Sequence, residues 1–452
     1  MTTSDHHAQT PMHSESRRSF LGKAVAAAGA AGAAGLVSGC TTTLGGSLNI
    51  RPVPKATSLR HPGPDEVIRI GVIGTGGMGT AHCHSFMSLV KQGKEKAQIV
   101  ALADVCQPRL DEAHKACTEG QGGATVDKYT DYRELLKRDD IHAVLIASPE
   151  HWHAKHAEDA IAAGKDVYLE KPMTLRLREA LRLYEVQKAN PDVIVQVGTQ
   201  AIQLPKYREA RKMVAAGEIG TPTMSQTSYC RNSKKGEWLY YGIDPNWKPG
   251  VNLDWDAWCG PAGPAPWDPE VYARWRRYRK YSTGIIGDLL VHVITPLMVS
   301  LDDIGWPVRV TCAGSHLVDK AMENHDQVNL TIEYESGHIM VVAGSTCNEV
   351  GLETMIRGHK GNIYLGSKNC VMRPERIYSE EIDARTVECP DIGNDQDVHR
   401  LAWLRSLRTR ERPEADVEMG TKVMVIVDLA TRSAWEGRAY AFDPKSMTAS
   451  AI

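Results

Sequence analysis

Residues suited to chemistry occur in two short groups far apart in the chain. Glu170, Lys171 and Pro172 directly follow the apolar run 167–169, which predicts a short buried strand. Open α/β sheets bind ligands outside the carboxyl ends of their strands, so the Lys171 ammonium is expected there. Pro172 lacks a backbone donor and favours an extended conformation for Lys171. An ordinary surface Glu-Lys pair is the alternative interpretation.

The second group is Asp288 and His292, four residues apart in the run 284–292. On a helix this spacing places both on one face, with their Cβ atoms about 5–6 Å apart. His292 is then a candidate general base for a hydroxyl, a role worth roughly 10²–10⁴-fold in rate. Asp288 would orient the base or the substrate. The alternative is a structural histidine in an apolar helix.

A nucleotide-binding motif precedes both groups. The apolar run 67–73 predicts a strand and 80–90 a helix, and between them stand the motif residues Gly74, Gly76, Gly77, Met78 and Gly79. Such glycines let a pyrophosphate approach the backbone at a helix N-terminus. Asp104 ends the next predicted strand, where a carboxylate accepts from a ribose hydroxyl and repels a 2′-phosphate. NAD is therefore predicted in preference to NADP.

Further predicted strands, 143–148 and 193–197, end at the same edge of the sheet. The stretch 150–153 (Glu-His-Trp-His) is expected to be a loop on the nicotinamide-ribose side. No metal site is predicted, because the histidines at 151, 153 and 156 lack a carboxylate or cysteine at ligand spacing. The residues expected to contact the cofactor from this edge are Ser148, Trp152, His153, Glu170, Lys171 and Gln200.

The motif order GTGGMG, ALADV, ASPEHWH, YLEKP, VGTQ resembles the glucose-fructose oxidoreductase / inositol dehydrogenase (Gfo/Idh/MocA) family. The resemblance covers essentially all of the chain after residue 66. It implies an α/β Rossmann dinucleotide-binding domain at 67–200. It also implies an α+β substrate and oligomerisation domain at 201–452, with an open, mostly antiparallel sheet and closing helices. Lys171 would lie beside the nicotinamide and bond the reacting hydroxyl, and Asp288 and His292 would face the substrate carbon. Subunit pairing into a homo-oligomer is implied as well.

Two residues of the second half are expected to contact substrate. They are Tyr229 and Arg231, at the end of the predicted strand 223–230.

The second half also contains two unusual segments. The segment 237–279 holds six of the ten tryptophans, which either stack on sugar rings or fasten the loop to its domain. The run 274–281 is basic and aromatic, which indicates a solvated face or a contact to an anionic substrate such as a uronate. Thr295 stands where the family usually has an acid, which leaves the substrate open.

The N-terminus predicts export. Residues 16–23 (SRRSFLGK) form a twin-arginine signal, and the Ala/Gly-rich run 24–36 is too short for a transmembrane span. Residues 37–40 resemble a lipobox, so residues 1–39 are expected to be a lipoprotein-type signal peptide and Cys40 a lipid anchor. Ordinary cleavage with an incidental Cys40 is the alternative. Residues 40–66 are expected to be a flexible tether, and the protein periplasmic.

Composition limits the partners. The 452 residues carry a formal net charge of −2, which does not indicate nucleic acid or an anionic membrane surface as a partner. The cysteines after Cys40 lack paired short spacings, so buried free thiols are expected.

The predicted function is an NAD(P)-dependent oxidoreductase acting on a sugar, polyol or glycoside hydroxyl. Its cofactor is expected to be tightly bound, because no NAD pool outside the cytoplasm would reoxidise a released one. The alternative is an NAD-dependent glycoside hydrolase that oxidises a ring hydroxyl transiently, eliminates the substituent, adds water and reduces again. Residues 150–153 resemble a stretch of the NAD-dependent α-N-acetylgalactosaminidases. A non-enzymatic sugar-binding lipoprotein that keeps NAD is a third class.

Overall fold

The structure is a computed structural model, and it describes residues 52–452. Its first sheet has six parallel strands in the order β3-β2-β1-β4-β5-β6, which confirms the Rossmann-type domain. Apart from the edge strand β3, the strands are mostly apolar because helices cover both faces of the sheet. They are β1 (Ile68–Ile73), β2 (Ala97–Ala103), β3 (Asp127–Tyr129), β4 (Ala143–Ile146), β5 (Asp166–Leu169) and β6 (Val195–Val197). The accompanying helices are α1 (Gly77–Lys91), α2 (Gln107–Gly120), α3 (Tyr132–Leu136), α4 (Glu150–Ala162) and α5 (Leu177–Ala189).

The second sheet has ten strands, of which one neighbouring pair, β7 and β10, is parallel. The order is β14-β13-β12-β11-β7-β10-β9-β8-β15-β16, which confirms the open, mostly antiparallel sheet. Its strands are β7 (Pro222–Cys230), β8 (Pro307–Ser315), β9 (Gln327–Tyr334), β10 (Ile339–Ser345), β11 (Met355–Gly358), β12 (Gly361–Leu365), β13 (Asn369–Pro374), β14 (Arg385–Glu388), β15 (Tyr440–Asp443) and β16 (Thr448–Ala451).

Six further helices accompany the second half: α6 (Pro205–Ala215), α7 (Trp255–Cys259), α8 (Pro269–Ala273), α9 (Val291–Ser300), α10 (Asp395–Thr409) and α11 (Val417–Glu436). A single π-helical turn, Ile286–Leu290, leads into α9. Alternation along β9 buries Val328, Leu330 and Ile332 and exposes Asn329 and Thr331, so one face of the sheet is packed and the other is open.

The closing helices α10 and α11 return to the first domain. On α10 the Trp403 ring lies 6.0 Å from Phe86 and 5.5 Å from Tyr168, centroid to centroid. Just after this helix, Arg410 forms a 2.6 Å ion pair with Asp166 at the start of β5. Helix α10 and the residue that follows it therefore pack against β5, the strand that leads to Lys171.

The flexible tether is not seen in its described part, residues 52–66. The Asn190 side chain accepts from the Ala56 amide at 2.8 Å and donates to the Pro54 carbonyl at 2.9 Å. Arg408 donates to the Gly63 carbonyl at 2.7 Å. The prediction was wrong here because composition reports only the segment's own residues. The carbonyls of such a segment can still be satisfied by donors on a folded domain.

Residues 1–51 lie outside the described part, and with them the predicted signal peptide, Cys40 and the start of the tether. Among residues 52–452 no helix is long and apolar enough to cross a membrane. The nine cysteines after Cys40 are all free and seven are buried, which confirms the prediction of scattered thiols.

Candidate active site

Lys171 stands directly after Glu170 at the carboxyl end of β5, and its ammonium is held by the second domain. Nζ donates to the backbone carbonyl of Asp288 at 2.9 Å and to Oδ1 of the same residue at 3.0 Å. Only 10% of the Lys171 side chain is exposed, and the peptide to Pro172 is cis. Because an ammonium has three donors, one remains for a substrate hydroxyl.

Asp288 binds two cations with one oxygen. Arg276 Nε donates to the same Oδ1 at 2.8 Å. Burial alone would raise the pKa of the Asp288 carboxyl, but the charges of Arg276 and Lys171 outweigh it and hold that pKa well below its usual range. Asp288 is therefore a fixed anion at neutral pH.

Gly287 precedes Asp288 in the π-helical turn and is closely packed. A Cβ at this position would lie 2.0 Å from Thr283 Oγ1, whereas Pro172 Cγ, at 3.5 Å, is at ordinary contact distance. The glycine is thus needed for the close approach of Thr283 to the turn that carries Asp288.

His292 lies one turn further on, half-buried, with its ring centroid 6.2 Å from that of Tyr229. Neither ring nitrogen has a hydrogen-bond partner within residues 52–452. Burial, aided by the charge of Lys171, lowers the pKa of His292 to about 4. At neutral pH the ring is uncharged and can accept a proton.

The predicted pairing of Asp288 with His292 is not formed. Asp288 Oδ1 is taken by Lys171 and Arg276, because the π-helical turn changes the four-residue spacing on which that expectation rested. Asp288 orients the lysine rather than the histidine.

Glu170 points away from this site. His82 Nε2 lies 2.9 Å from its Oε1, and Arg400 Nε donates to His82 Nδ1 at 2.8 Å. Since arginine can only donate, His82 must carry its hydrogen on Nε2 and give it to Glu170. Burial would raise the pKa of Glu170, but the hydrogen bond from His82 and the charge of Lys171 lower it to about 2. Glu170 therefore supports the backbone of the Glu170-Lys171-Pro172 motif. Its contact to the cofactor remains a prediction.

The glycine motif has the geometry that a dinucleotide needs. Gly74 has φ +89°, and a Cβ on it would lie 2.6 Å from the Ser148 amide nitrogen. A Cβ on Gly79 would lie 1.9 Å from the Gly74 carbonyl oxygen, whereas one on Gly77 would meet open space. Helix α1 begins at Gly77, three residues earlier than predicted, with no capping side chain and no acid in its first turn. Its first amides are left for an anion such as a pyrophosphate. Met78 lies there, 38% exposed.

Asp104 closes the end of β2 as expected. Its Oδ2 accepts from the Thr75 amide at 2.7 Å, and its Oδ1 accepts from the Cys106 amide at 2.8 Å. Burial raises the pKa of this carboxyl despite these bonds. The carboxylate is thereby held beside the glycine motif, where a ribose hydroxyl is expected.

Arg109 is a site residue that the sequence reasoning missed. Its Nη1 lies 3.1 Å from where a Cβ of Gly76 would stand, and its guanidinium lies 5.0 Å from the Trp247 ring and 5.4 Å from Tyr272. Its Nε is buried without a partner among the described residues. An unpartnered donor beside the glycine motif fits the adenosine end of NAD. Arg109 lies two residues into α2, and position alone did not distinguish it from a surface arginine.

The tryptophan-rich segment 237–279 is fastened to this end of the first domain. The Gln107 amide donates to the Asn252 carbonyl at 2.8 Å, and the Asp254 amide donates to the Val105 carbonyl at 3.0 Å. Trp238, Trp247, Trp255 and Trp258 are all buried. Fastening is therefore the role of these four, while Trp267 and Trp275 are half-buried.

Residues 150–153 form the first turn of α4, so the predicted loop was wrong. Pro149 precedes the helix, and proline is favourable at a helix start. His151 and the Trp152 indole both bond the Trp258 carbonyl at 2.8 Å. His153 Nδ1 lies 2.7 Å from the Pro172 carbonyl and its Nε2 lies 2.7 Å from the Ser148 carbonyl, and the neutral ring can donate to one of the two. His156 lies 3.0 Å from Ser148 Oγ. The cofactor contacts proposed for Ser148, Trp152 and His153 remain predictions. So does the contact proposed for Gln200, which begins a 3₁₀ turn.

Tyr229 and Arg231 lie beside His292, as expected of substrate contacts. Arg231 Nη2 forms a 2.6 Å ion pair with the buried Glu237, and its Nε is buried without a partner among the described residues.

The prediction of a solvated face at 274–281 is wrong for two of the arginines in this run. Arg276 binds Asp288, and the Arg277 side chain is 4% exposed in an ion pair with Asp319.

Comparison with known proteins agrees with this geometry. The model of the Gfo/Idh/MocA oxidoreductase family's NAD-binding Rossmann fold matches residues 68–199, and the model of its C-terminal alpha/beta domain matches residues 265–442. The chain belongs to the Gfo/Idh/MocA family. It therefore carries that family's NAD-binding domain, which includes the glycine motif, Asp104 and the strand leading to Lys171.

Among curated proteins, inositol 2-dehydrogenase 3 of Saccharopolyspora erythraea is 35% identical over 158 residues, covering 35% of this chain and 44% of that protein. Inositol 2-dehydrogenase of Burkholderia multivorans is 33% identical over 170 residues, covering 38% and 48% respectively. The chain thus matches about half of the length of these relatives.

Among solved structures, levoglucosan dehydrogenase with NADH superposes with a TM-score of 0.63 at 19% identity, covering 83% of this chain and 98% of the other. Aldose-aldose oxidoreductase of Caulobacter crescentus, complexed with glycerol, gives 0.61 at 18% identity, covering 83% and 99%. At such identities these likenesses concern the fold.

Proposed function

We propose that this protein is an NAD-dependent oxidoreductase acting on a hydroxyl-bearing carbon of a sugar, polyol or glycoside. The observation that carries the proposal concerns two residues at the carboxyl edge of the NAD-binding sheet. Lys171 is held by Asp288, and His292, four residues after Asp288, is near enough for the charge of Lys171 to lower its pKa. Its ring nitrogens have no partner among residues 52–452. Relatives named inositol 2-dehydrogenase, and structural neighbours named for sugars, support the substrate class.

The chain's own residues account for the hydroxyl proton. The third hydrogen of the Lys171 ammonium donates to the substrate oxygen and holds it in place. The uncharged His292 ring accepts the proton as the hydroxyl becomes a carbonyl, and returns it in the opposite direction. NAD, when bound, supplies the hydride acceptor.

The cofactor would remain bound between turnovers. The glycine motif, Asp104 and Arg109 would hold it, and the fastened segment 237–279 lies beside them. A twin-arginine signal at 16–23 supports export to the periplasm, where no NAD pool exchanges with the enzyme. We propose lipidation at Cys40 and, from the polar open face of β9, assembly into a homo-oligomer.

The test begins with the purified mature protein and the absorbance of its bound cofactor. Sugars and polyols are added one at a time, and an increase in the NADH band that a second, oxidised sugar reverses is expected. Aryl glycosides are added in parallel. Release of the aryl alcohol without a net change in bound cofactor would assign the glycoside hydrolase instead. No spectral change and no release with any compound would contradict both enzymatic functions.

A further inference from the structure

The wall of the site opposite Lys171 is formed by two arginines and two tyrosines. Tyr240 and Tyr241 are 49% and 40% exposed, with ring centroids 4.8 Å apart. Arg276 lies 5.7 Å from the Tyr241 ring, while Tyr240 donates to Glu237, the partner of Arg231, at 2.7 Å. Exposed aromatic faces next to guanidinium groups suit a sugar ring with an anionic substituent.

Arg276 has donors to spare. Within the described residues only its Nε has a partner, the Asp288 carboxylate, and both Nη groups lack one. The guanidinium also lies 4.2 Å over the Trp275 ring, which fixes its plane. A planar guanidinium with two free Nη groups is suited to a carboxylate, because its geometry allows two parallel bonds.

Two cations face a single carboxylate at Asp288. Lys171 and Arg276 both donate to its Oδ1. Two other carboxyls lie nearby. Glu170 points away from the site, and Glu150, whose pKa burial raises to about 7, accepts from Ser282 at 2.6 Å inside the fold. Neither carboxyl bonds Arg276, so its guanidinium is available to an anionic ligand in a partly dry site.

We infer that Arg276 receives the carboxylate of an acidic sugar, so the substrate class of this site is uronates and their glycosides. The inference rests on the proposed oxidoreductase function. Arg231 contributes through its unpartnered Nε, and the exposed faces of Tyr240 and Tyr241 would carry the sugar ring. Arg276 Nε and Lys171 Nζ donate to the same oxygen of Asp288, so a carboxylate bound by Arg276 would lie close to the hydroxyl bound by Lys171.

The test uses matched pairs on the mature protein with its bound cofactor: glucose with glucuronate, galactose with galacturonate, and glucose 6-sulfate as a second anion. Reduction of bound NAD is followed at the NADH band, and binding is followed by calorimetry. We expect the uronates to exceed their neutral partners by about 10²-fold in rate and affinity, the usual effect of a charge-assisted bond in a partly buried site. The sulfate ester should be weaker than glucuronate.

Two variants identify the residue. Arg276→Gln should slow the turnover of every sugar, because Asp288 loses one of its two cations, and should also abolish the preference for uronates over their neutral partners. Arg276→Lys, which keeps the charge without the planar fork, should recover only part of the preference. Arg279→Gln is the matched control, because Arg279 belongs to the same basic run but donates to the Glu323 carbonyl and stacks on Trp435. It should behave as wild type.

The outcomes are distinct. Turnover of neutral sugars as fast as uronates would overturn the inference and leave the oxidoreductase in place. A preference for the sulfate ester would overturn the assignment of a carboxylate. Uronate preference that survives in Arg276→Gln would overturn the role of this arginine. If no compound binds or changes the cofactor, the proposed function fails together with the inference.

Discussion

Two charged networks lie on either side of one motif, and they differ in how completely they are satisfied. Behind β5, Arg400, His82 and Glu170 form a chain in which each donor has an acceptor, ending at the Lys171 amide. In front, Lys171 and Arg276 both donate to one carboxylate oxygen of Asp288, and within residues 52–452 they keep further donors that have no protein partner. We call them the closed network and the open network. The closed one joins protein groups to one another, and the open one has donors available to a ligand.

This difference explains why adjacent residues have different roles. Glu170 and Lys171 are neighbours in sequence, yet the Glu170 carboxylate belongs to the closed network and the Lys171 ammonium to the open one, where we propose that it binds substrate. A fully paired buried network contributes specificity of fold. A buried network with unpaired donors costs stability, which a protein retains where function requires it. The predictions below test this division.

The largest effect is expected for Lys171→Met. Removing the ammonium should lower the rate of bound-cofactor reduction by about 10³- to 10⁴-fold, because the substrate hydroxyl loses both its donor and its position. Unfolding should change little, since Asp288 keeps Arg276. Stopped-flow absorbance measures the rate. Lys155→Met, which removes a lysine paired with Asp159 at the surface, is the control. A rate above a tenth of wild type would show that the role of Lys171 is structural, like that of the residues of the closed network.

Arg400→Leu should act on stability instead. The Arg400 side chain is 1% exposed, and its loss leaves His82 Nδ1 buried without a donor. We expect the free energy of unfolding to fall by about 3–5 kcal/mol, measured by urea denaturation. The rate per folded molecule should stay within a few-fold. Arg405→Leu, an exposed arginine on the same helix, should change stability by less than about 0.5 kcal/mol.

Glu150, a buried carboxyl beside the open network, and Glu170 of the closed network should also differ in pH dependence. In the folded state the pKa of Glu150, raised by burial and by the charge of Asp288, is about 7, above its usual 4.5. Its burial costs nothing below pH 4.5, and stability then falls as the pH rises through 7, by about 3 kcal/mol. Glu150→Gln should remove that fall, so the variant should become more stable than wild type as the pH rises from 4.5 to above 7. Urea denaturation at several pH values in this range measures the free energy of unfolding.

The pKa of Glu170 is shifted in the opposite direction, so its contribution to stability has the opposite pH dependence. Its folded-state pKa of about 2 lies below 4.5, so its stabilisation is complete above pH 4.5 and is lost as the pH falls towards 2. Glu170→Gln should therefore lose stability at neutral pH and match wild type in acid. The same pH dependence in both variants would contradict the division.

The smallest of these effects is expected for Asp288→Asn. The amide keeps the size and can still accept from Lys171, but the two cations then lack a counter-charge. We expect the rate to fall by about 10²-fold, because the ammonium is less well oriented. A rate within about threefold of wild type would show that the backbone carbonyl of Asp288 alone orients Lys171.

Residues whose role depends on nearby sequence could be predicted. The glycine motif, Asp104 and Lys171 follow strands directly, so local spacing placed them at the sheet edge. The hydrogen-bond partners of these residues could not be predicted. Arg400 is 318 residues from His82, and Asp288 is presented to Arg276 by a π-helical turn, which a sequence pattern does not show. The sequence predicts a loop at 150–153, because two histidines and a tryptophan in four residues give no helical pattern, whereas α4 begins at Glu150. Edge strands such as β3, with three partly exposed residues, carry no apolar pattern.

The segment 237–279 has a kinetic consequence. It is bonded to the turn between β2 and α2, and its rings stack on Arg109 at the glycine motif. We expect a dinucleotide bound there to exchange slowly, because these backbone bonds would have to break and Trp247 would have to separate from the guanidinium. Exchange would then be limited by the rate of a local opening rather than by affinity. Under the proposed function, loading would accompany folding, and each molecule would keep the cofactor with which it was assembled.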